Sequence, residues 1–597
     1  MTANGWLQIV FYLAVLTALT PVLGGYMARV YQGQPLLLER VLEPLERFVY
    51  RLLGPSARSE QDWKAYAKTT IVFSAVFFVV LYVILRTQGI HPFNPEGFDS
   101  GPWDLSFNTA ASFVTNTNWQ YYGGETTLSY FSQMAGLAVQ NFVSAAVGMA
   151  VLAAVIRGLA SRGARELGNF WRDVTRTLLY ILLPLSFVGA LILVSQGVIQ
   201  TFSGWVSYQT VTGVDQTLAL GPGASQIAIK QLGTNGGGFF NVNSSMPFES
   251  PTQFSNFVEL LFILLIPAAL TATFGRMVGN RRQGWAIYVA MLIMLVVTIG
   301  VGYAAESNGS PAQEAAGIEV DAGASDVDVE GSDEQAGGNL EGKEQRNGIA
   351  TSVTWANATT AASNGSVNSA HDSYTGGGGL PLLFNMMTGE VVFGGVGSGL
   401  YGMLLMVLLA VFIAGLMVGR TPEYLGKKVE AREVKLVMIG TIVVPLLVLV
   451  ATAIAIASEH GDVSIFNPGP HGFSETLYAY TSQGNNNGSA FAGYTGFVQP
   501  NAPGNPGAYG ITFADLIGGL SMFFARFVPL LAALGVAGSM ATKRISPAGP
   551  GTFRTDTPTF VALLIFVVVL VAALTFFPAL MLGPIVEGLT DSLVFPG

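Results

Sequence analysis

The chain has 597 residues, of which 51% are hydrophobic and only 11% charged, with a formal net charge of −9. A soluble domain carries about 25% charged residues, so most of this chain is predicted to avoid water. The sequence has no cysteine, which excludes disulfides, thiolate metal sites and thiol catalysis. The histidines are scattered, and no two of them have the spacing of metal ligands. They are His91, His371, His460 and His471.

Ten apolar segments are long enough to cross a membrane, because a spanning helix needs roughly 20 mostly apolar residues. The first has no basic n-region and no cleavage site, so it is interpreted as a span and not as a signal peptide. The predicted fold class is an all-α polytopic membrane protein with ten transmembrane helices. The segments are 6–28, 68–87, 130–156, 177–197, 255–278, 284–305, 380–418, 436–457, 510–540 and 558–584.

Basic residues are concentrated in alternate connections between these segments. Five connections hold 23 of the 28 Lys and Arg residues. The other connections hold only Lys230, Lys343 and Arg346, with Arg86 at one edge. By the positive-inside rule the first set is cytoplasmic, and both termini then lie outside. The basic connections are 29–68, 157–176, 276–282, 420–435 and 543–554.

The four outer connections share one pattern. Each has a weakly apolar segment of about two or three helical turns, then a polar Thr/Ser–Asn–Gly-like stretch, then the next span. The first segments are too short and too polar to cross a bilayer, which is typical of re-entrant helices. Four such copies indicate an internal repeat. They read "FNTAASFVTNTNWQYYGGE", "IAIKQLGTNGGGFFNVNSS", "VTWANATTAASNGSVNSAHDS" and "LYAYTSQGNNNGSAFAGY".

The repeat predicts the division of the chain. Four channel-like units lie between a first span with its cytoplasmic loop and a last span. The predicted boundaries are 1–66 for the first span and loop, 67–176, 177–283, 284–435 and 436–556 for units one to four, and 557–597 for the last span.

The polar stretches are suited to binding a cation through backbone carbonyls. Irregular backbone at membrane depth is tolerated only where it is buried in protein or lines a wet cavity. Four such loops around one axis can replace the water shell of a potassium ion. The predicted filter carries no charge, which favours a weakly hydrated monovalent cation over a divalent one. Its residues are Thr115, Asn116, Thr117, Asn118, Thr234, Asn235, Gly236, Gly237, Ser363, Asn364, Gly365, Asn486, Asn487 and Gly488.

Ordinary outer turns are the alternative interpretation of these stretches. A single Asn–Gly stretch would be a turn and nothing more. Four at matching positions between paired spans favour the filter. The first stretch, "TNTNW", has no glycine, so Thr117 or Asn118 takes the place that glycine fills in the others.

Several long strings resemble the potassium-binding A subunit of Kdp-type potassium-transporting ATPases, of the potassium-transporter superfamily. They are "TNTNWQ", "IKQLGTNGGGFFN", "EGKEQR", "GEVVFGGVGSGLYG", "GRTPEYLGKK", "NPGPHGFSE" and "NNNGSAFAG". The resemblance implies ten spans, an outward-facing filter and a prokaryotic plasma membrane. It also implies assembly with a P-type ATPase catalytic subunit and two small membrane subunits.

ATP hydrolysis is expected on another chain. The sequence has no G-x-x-x-x-G-K-[ST] string and no Asp-Lys-Thr-Gly string. Its cytoplasmic connections are too short for a nucleotide-binding domain. Potassium is the expected bound ion, and neither an organic cofactor nor a nucleic-acid partner is expected.

Two features inside the spans are candidates for a vestibule or gate. The stretch "GEVVFGGVGSG", 389–399, contains five glycines and interrupts the seventh apolar segment, which favours an intramembrane loop over close helix packing. Arg526 lies near the middle of the ninth segment, where charge is costly and usually functional, and Glu390 is a possible partner. Gln120 is expected to line the filter or the vestibule under it. The candidates are Gln120, Glu390, Gly394, Gly395, Gly397 and Arg526.

The outer connection 306–347 holds eleven acidic residues and reads as disordered. Attraction of cations to the pore mouth is one interpretation. The favoured one is that these are acidic side chains solvated on an exposed loop, without a role in transport.

The sequence therefore predicts the ion-translocating subunit of an ATP-driven potassium uptake pump. A stand-alone potassium channel or secondary transporter of the same superfamily is the second hypothesis. A membrane-embedded enzyme is a weak third, since only Arg526 and Glu390 are prominent polar groups within the spans.

Overall fold

The computed structural model describes residues 1–317, 337–458, 464–494, 513–546 and 553–590. His460, the middle of the acidic connection and the first three residues of the predicted ninth segment lie outside these ranges.

Ten helices in the described ranges are long and apolar enough to cross a membrane, which confirms the predicted number and fold class. Polar side chains cap several of their N-termini, as Thr2, Asp62 and Thr557 each accept a backbone N–H of the first turn. The spans are Ala3–Tyr31, Trp63–Arg86, Ser132–Ala160, Phe170–Ser195, Gln253–Met277, Arg281–Asn308, Ser398–Val418, Ala431–Ile456, Phe513–Ala541 and Pro558–Leu580.

The third and fifth spans lie at the centre of the molecule. Their most apolar windows are 89% and 78% buried, against 22% for the second span and 28% for the first and eighth. The peripheral spans therefore present apolar side chains outwards, as lipid contact requires. The centre is the place where the outer connections converge.

The predicted seventh segment, 380–418, is two helices and not one. A helix over Gly376–Met387 ends before a non-helical stretch, and the seventh span begins only at Ser398. Gly389, Gly394 and Gly397 have positive φ between these helices, a conformation that a glycine adopts without strain. The loop interpretation is confirmed, and 389–399 is called the glycine-rich loop below.

Four short helices precede the four polar stretches, as predicted. They contain 12, 10, 14 and 16 residues, so none could cross a membrane. Each is followed by its polar stretch and then by a span or, in the third unit, by the broken seventh segment. The short helices are Trp103–Val114, Gly223–Leu232, Gly348–Ala361 and Gly469–Gly484.

The remaining elements are small and lie in the connections. Helices cover Glu39–Leu53, Gly124–Thr127, Pro311–Ala315 and Val586–Gly588, with single turns at Gly54–Ala57, Gln88–Ile90, Asn243–Ser245 and His371–Ser373. Three antiparallel strand pairs join Gln61–Asp62 with Glu166–Gly168, Val206–Gln209 with Asp215–Leu218, and Glu423–Tyr424 with Lys427–Lys428.

Both described ends of the acidic connection are folded, so the prediction of disorder is wrong for them. Glu306 is fully buried and lies 2.6 Å from the Lys343 ammonium. Arg346 donates to the backbone carbonyls of Ser250 and Pro251. Paired charges and backbone acceptors hold these ends, which a count of acidic residues does not reveal. The stretch 318–336 lies outside the described residues.

The predicted orientation can be tested by labelling, because the chain has no cysteine of its own. A cysteine at exposed Glu314 should react with an impermeant maleimide added to intact cells, and one at exposed Arg432 only after permeabilisation. The unsubstituted chain is the control. Labelling of both positions from one side of intact cells would contradict the ten-span orientation.

Candidate functional site

The four polar loops share one pattern of φ angles. Each contains a segment of three residues in which the first and the third have positive φ, while the second does not. The first such residues have φ of 66°, 47°, 48° and 51°, and the third ones 58°, 77°, 96° and 91°. These pairs are Asn116 and Asn118, Thr234 and Gly236, Ser363 and Gly365, and Asn486 and Gly488. We call these three-residue segments polar loops 1 to 4.

This pattern resolves the register of polar loop 1. Asn118, and not Thr117, takes the position that glycine fills in the other three loops. Asn is one of the few residues that tolerate this conformation. Thr234 is β-branched and still has positive φ, which is an outlier that packing must enforce. Such strain is concentrated at functional sites.

Asparagine side chains join neighbouring units into a closed ring: two bridges reach a residue of a neighbouring polar loop, and two reach a carbonyl in the short helix that precedes one. Four junctions are bridged in order, and each bridge is donated by an Asn amide. The bonds run from Asn116 to the Thr234 carbonyl (2.8 Å), from Asn364 to the Lys230 carbonyl (3.4 Å), from Asn487 to the Thr359 carbonyl (2.9 Å) and from Asn486 to the Thr117 hydroxyl (2.8 Å). The ring order is therefore loop 1, loop 2, loop 3, loop 4 and back to loop 1.

The glycines allow the loops to approach each other this closely. A Cβ at Gly236 would collide with the carbonyl oxygen of Asn364 in loop 3. A Cβ at Gly365 would meet the Asn487 carbonyl in loop 4, and one at Gly488 the Thr117 carbonyl in loop 1. A carbonyl of the next loop thus lies beside each glycine around the ring.

The short helices direct negative potential at the ring. All four end immediately before a polar loop, so their C-termini face it. The C-terminus of a helix carries about half a negative charge, which stabilises a nearby cation. None of the twelve loop residues is itself charged. Dipoles without a full charge favour a monovalent cation that can also leave.

Two cavities lie on opposite sides of the ring. The larger, about 710 Å³, is lined by Asn118, Gly365 and Gly488 and by the chain that follows each loop. The smaller, about 50 Å³, is lined by Asn486, Arg526 and Glu390, among others. Polar loop 4 thus runs from the smaller cavity to the larger, and the ring separates the two.

Gln120 lines the larger cavity together with Asn118, and its role in the filter or the vestibule stays a prediction. Its Oε1 accepts the Gly238 backbone N–H at 2.9 Å, and its Nε2 donates to the Gly238 carbonyl. Gln120 therefore connects the exits of loops 1 and 2. The chain reverses direction at the polar loop, which places the residues after it back at the mouth of the re-entrant segment.

One wall of the larger cavity contains a buried lysine whose charge is neutralised by a partner. Lys343 contributes to the cavity wall, and its ammonium is paired with Glu306 and stacked 4.1 Å over the Tyr374 ring. Burial lowers the pKa of Lys343, while the Glu306 carboxylate acts in the opposite direction. The pairing leaves little net positive potential at this wall.

The glycine-rich loop lies against the ring from the side of the smaller cavity. The Val396 N–H donates to the Thr234 hydroxyl at 2.9 Å, and the Gly394 N–H donates to the Ala361 carbonyl at 2.8 Å. Gly395 lies near the same hydroxyl, while a Cβ at Gly397 would collide with the Gly148 carbonyl. The glycines thus allow close packing of a loop, and not of the helix that the alternative interpretation assumed.

Arg526 and Glu390 meet at the end of this loop, as the sequence suggested. Arg526 Nη1 lies 3.8 Å from Glu390 Oε2, and the arginine is 5% exposed. A guanidinium buried at this depth requires such a partner. The positive charge lies at the smaller cavity, on the far side of the ring from the larger one.

Lys230 and Asn243 support the ring, and the sequence analysis missed both. The fully buried Lys230 ammonium donates to Asn243 at 2.6 Å and forms an ion pair with Glu249. The Asn243 amide in turn donates to the Gly236 carbonyl at 2.6 Å. Lys230 was visible as the one charged residue of its short helix, whereas Asn243 gave no signal because its partners are set by tertiary packing.

We expect Lys230→Met to lower the free energy of unfolding by about 3–5 kcal/mol, because it leaves the Glu249 carboxylate buried without its cation. Thermal unfolding of the purified chain measures this effect. Lys230→Met with Glu249→Gln should recover part of the loss, and Lys64→Met, at an exposed lysine, is the control. Equal stability of Lys230→Met and Lys64→Met would show that the pair contributes nothing.

Comparison with known proteins identifies the family. The profile of the potassium-transporting ATPase A subunit family matches residues 10–589. The chain belongs to the potassium-transporting ATPase A subunit family. It is 56% identical over 598 residues to the potassium-transporting ATPase potassium-binding subunit of Sorangium cellulosum, with 99% of each chain covered. It is 53% identical over 618 residues to the protein of that name from Methylococcus capsulatus, again with 99% of each covered.

This A subunit family member also matches chains of solved structures. The potassium transporter TrkH from Vibrio parahaemolyticus superposes with a TM-score of 0.47 and 15% sequence identity, covering 77% of this chain and 84% of the transporter.

Proposed function

We propose that the chain binds potassium in the ring of polar loops and passes it inward as the ion-translocating subunit of an ATP-driven uptake pump. The repeated backbone of the four loops, closed by Asn bridges, is the observation that carries this proposal. Potassium enters from the larger cavity, loses water to backbone carbonyls in the ring and leaves towards Arg526.

Membership of the A subunit family and the names of its relatives support the assignment of ATP hydrolysis to a partner chain. The partners are a P-type ATPase subunit and two small membrane subunits, in a prokaryotic plasma membrane with both termini of this chain outside. Transport is then controlled at the exit of the ring. The Arg526 charge and the glycine-rich loop obstruct a cation there until the partner drives a rearrangement.

Potassium-dependent ATP hydrolysis by the complete complex in vesicles tests this function. We expect potassium to stimulate hydrolysis only when this chain is present, with uptake that requires ATP. The complex without this chain is the control. Potassium flux through this chain alone, without ATP and at the same rate, would favour a stand-alone channel or secondary transporter instead.

A further inference from the structure

A histidine and three carboxylates meet away from the ring, where three parts of the chain come together. His471 and Glu475 lie one helical turn apart at the start of the fourth short helix. Asp372 lies in the single turn after polar loop 3, and Glu587 follows the last span. Asp372 and His471 are half-buried, and Glu475 is buried.

The spacing of three of these groups matches a divalent cation. His471 Nε2 lies 3.1 Å from Asp372 Oδ1 and 3.9 Å from Glu475 Oε1. One ligand atom from each residue falls within 4.8 Å of the others. Tetrahedral zinc with bonds of about 2.0–2.2 Å separates its ligand atoms by roughly 3.4 Å. Small side-chain movements would therefore bring all three to bonding distance.

Glu587 holds the imidazole in the orientation that a metal ligand needs. Its Oε1 lies 2.8 Å from His471 Nδ1, on the opposite side of the imidazole from Asp372. A carboxylate that accepts from one ring nitrogen fixes the tautomer and aims the other nitrogen at the metal. Glu475 is fixed as well, because it accepts from the Asn467 amide at 2.7 Å and the Phe466 N–H at 3.1 Å.

Gly493 keeps space open beside the two ligand carboxylates. A Cβ at this position would collide with Glu475 Oε1 and come within 2.8 Å of Asp372 Oδ1. The local charge also favours a cation. Among the described residues, His471 is the one basic group that forms ion pairs with these three carboxylates. Even a protonated imidazole leaves an excess of negative charge here.

We propose that Asp372, His471 and Glu475 bind a zinc-class divalent cation, with Glu587 as the positioning carboxylate on His471. The cation replaces the proton on Nε2, which leaves to solvent, and a water completes the tetrahedron. Such a site would connect the chain after polar loop 3 to the helix that leads into polar loop 4. It is independent of potassium binding in the ring.

Zinc titration of the full-length purified chain, after a chelator wash, tests the site. Competition with a fluorescent chelator should show one zinc ion bound per chain. Glu587→Gln should weaken binding by roughly 10- to 100-fold, and Asp372→Asn and Glu475→Gln by more. His91→Ala, at a half-buried histidine elsewhere, is the matched control and should bind zinc like the parent.

Cobalt(II) provides a second readout that needs no variant to fold. The parent chain should give the intense visible spectrum of tetrahedral cobalt with a nitrogen ligand, and zinc should abolish it. A parent chain that binds zinc no better than His471→Gln, or cobalt in an octahedral all-oxygen spectrum, would overturn the proposal. The four groups would then be an ion-pair cluster that only joins three segments.

Discussion

Gly236→Ala should lower the potassium affinity of the complex by roughly tenfold or more and weaken its discrimination against sodium. The added Cβ would collide with the Asn364 carbonyl. The alanine would also have to adopt a φ of 77°, which residues with a Cβ rarely do. Strain of about 1–3 kcal/mol per residue is typical of such conformations, and 1.4 kcal/mol is a factor of ten. The displaced carbonyls no longer match a potassium ion.

The measurement is potassium-stimulated ATP hydrolysis as a function of potassium, rubidium and sodium concentration. Gly213→Ala is the matched control, because Gly213 has a φ of 82° in an exposed hairpin with nothing within 4 Å of a new Cβ. Gly365→Ala and Gly488→Ala should act like Gly236→Ala. Unchanged affinity and selectivity in all three variants would remove these glycines from the ion site.

Arg526→Ala should allow potassium to leak through the complex without ATP hydrolysis, or change the potassium affinity, while assembly is retained. The substitution removes the positive charge on the exit side of the ring and leaves Glu390 without its partner. Insertion of an unpaired arginine at mid-membrane costs about 2.5–3.5 kcal/mol, which accounts for the position of Arg526 beside Glu390. Arg526→Lys should restore function only in part, since an ammonium lacks the planar fork.

Rubidium flux into vesicles with and without ATP, measured beside ATP hydrolysis, separates these outcomes. Arg162→Ala, at an exposed arginine, is the control for loss of a positive charge. Glu390→Gln should raise the barrier to passage, because it leaves the arginine charge uncompensated. If Arg526→Ala transports and hydrolyses like the parent without leak, the arginine is a structural anchor and the gate lies elsewhere.

Local properties of the sequence were enough to predict the spans and the four polar loops. Apolar runs of the required length and glycine-rich interruptions are visible without any partner. The Arg526–Glu390 pair was also predictable, because charges inside spans are rare and need partners. The exact register of polar loop 1 was not, since neither Thr117 nor Asn118 reveals its φ in the sequence.

Features that depend on packing between distant segments were missed or misplaced. Asn243 reaches the Gly236 carbonyl only because Lys230 holds it, and the two lie on different elements. The bonds between Gln120 and Gly238 were not predicted either, since the two residues lie 118 positions apart in the sequence. Glu306 was counted among the solvated acidic residues of the loop. It is buried, because it pairs with Lys343, 37 residues later in the chain.

Location of the bound ion tests the central claim most directly. The complex should be crystallised or imaged with thallium(I), which replaces potassium and scatters strongly. We expect thallium density on the axis of the ring, and we expect excess potassium to remove it. The density should be coordinated by backbone carbonyls of Asn116–Asn118, Thr234–Gly236, Ser363–Gly365 and Asn486–Gly488. Full transport activity with no density in the ring, or density held by side chains elsewhere, would contradict the account.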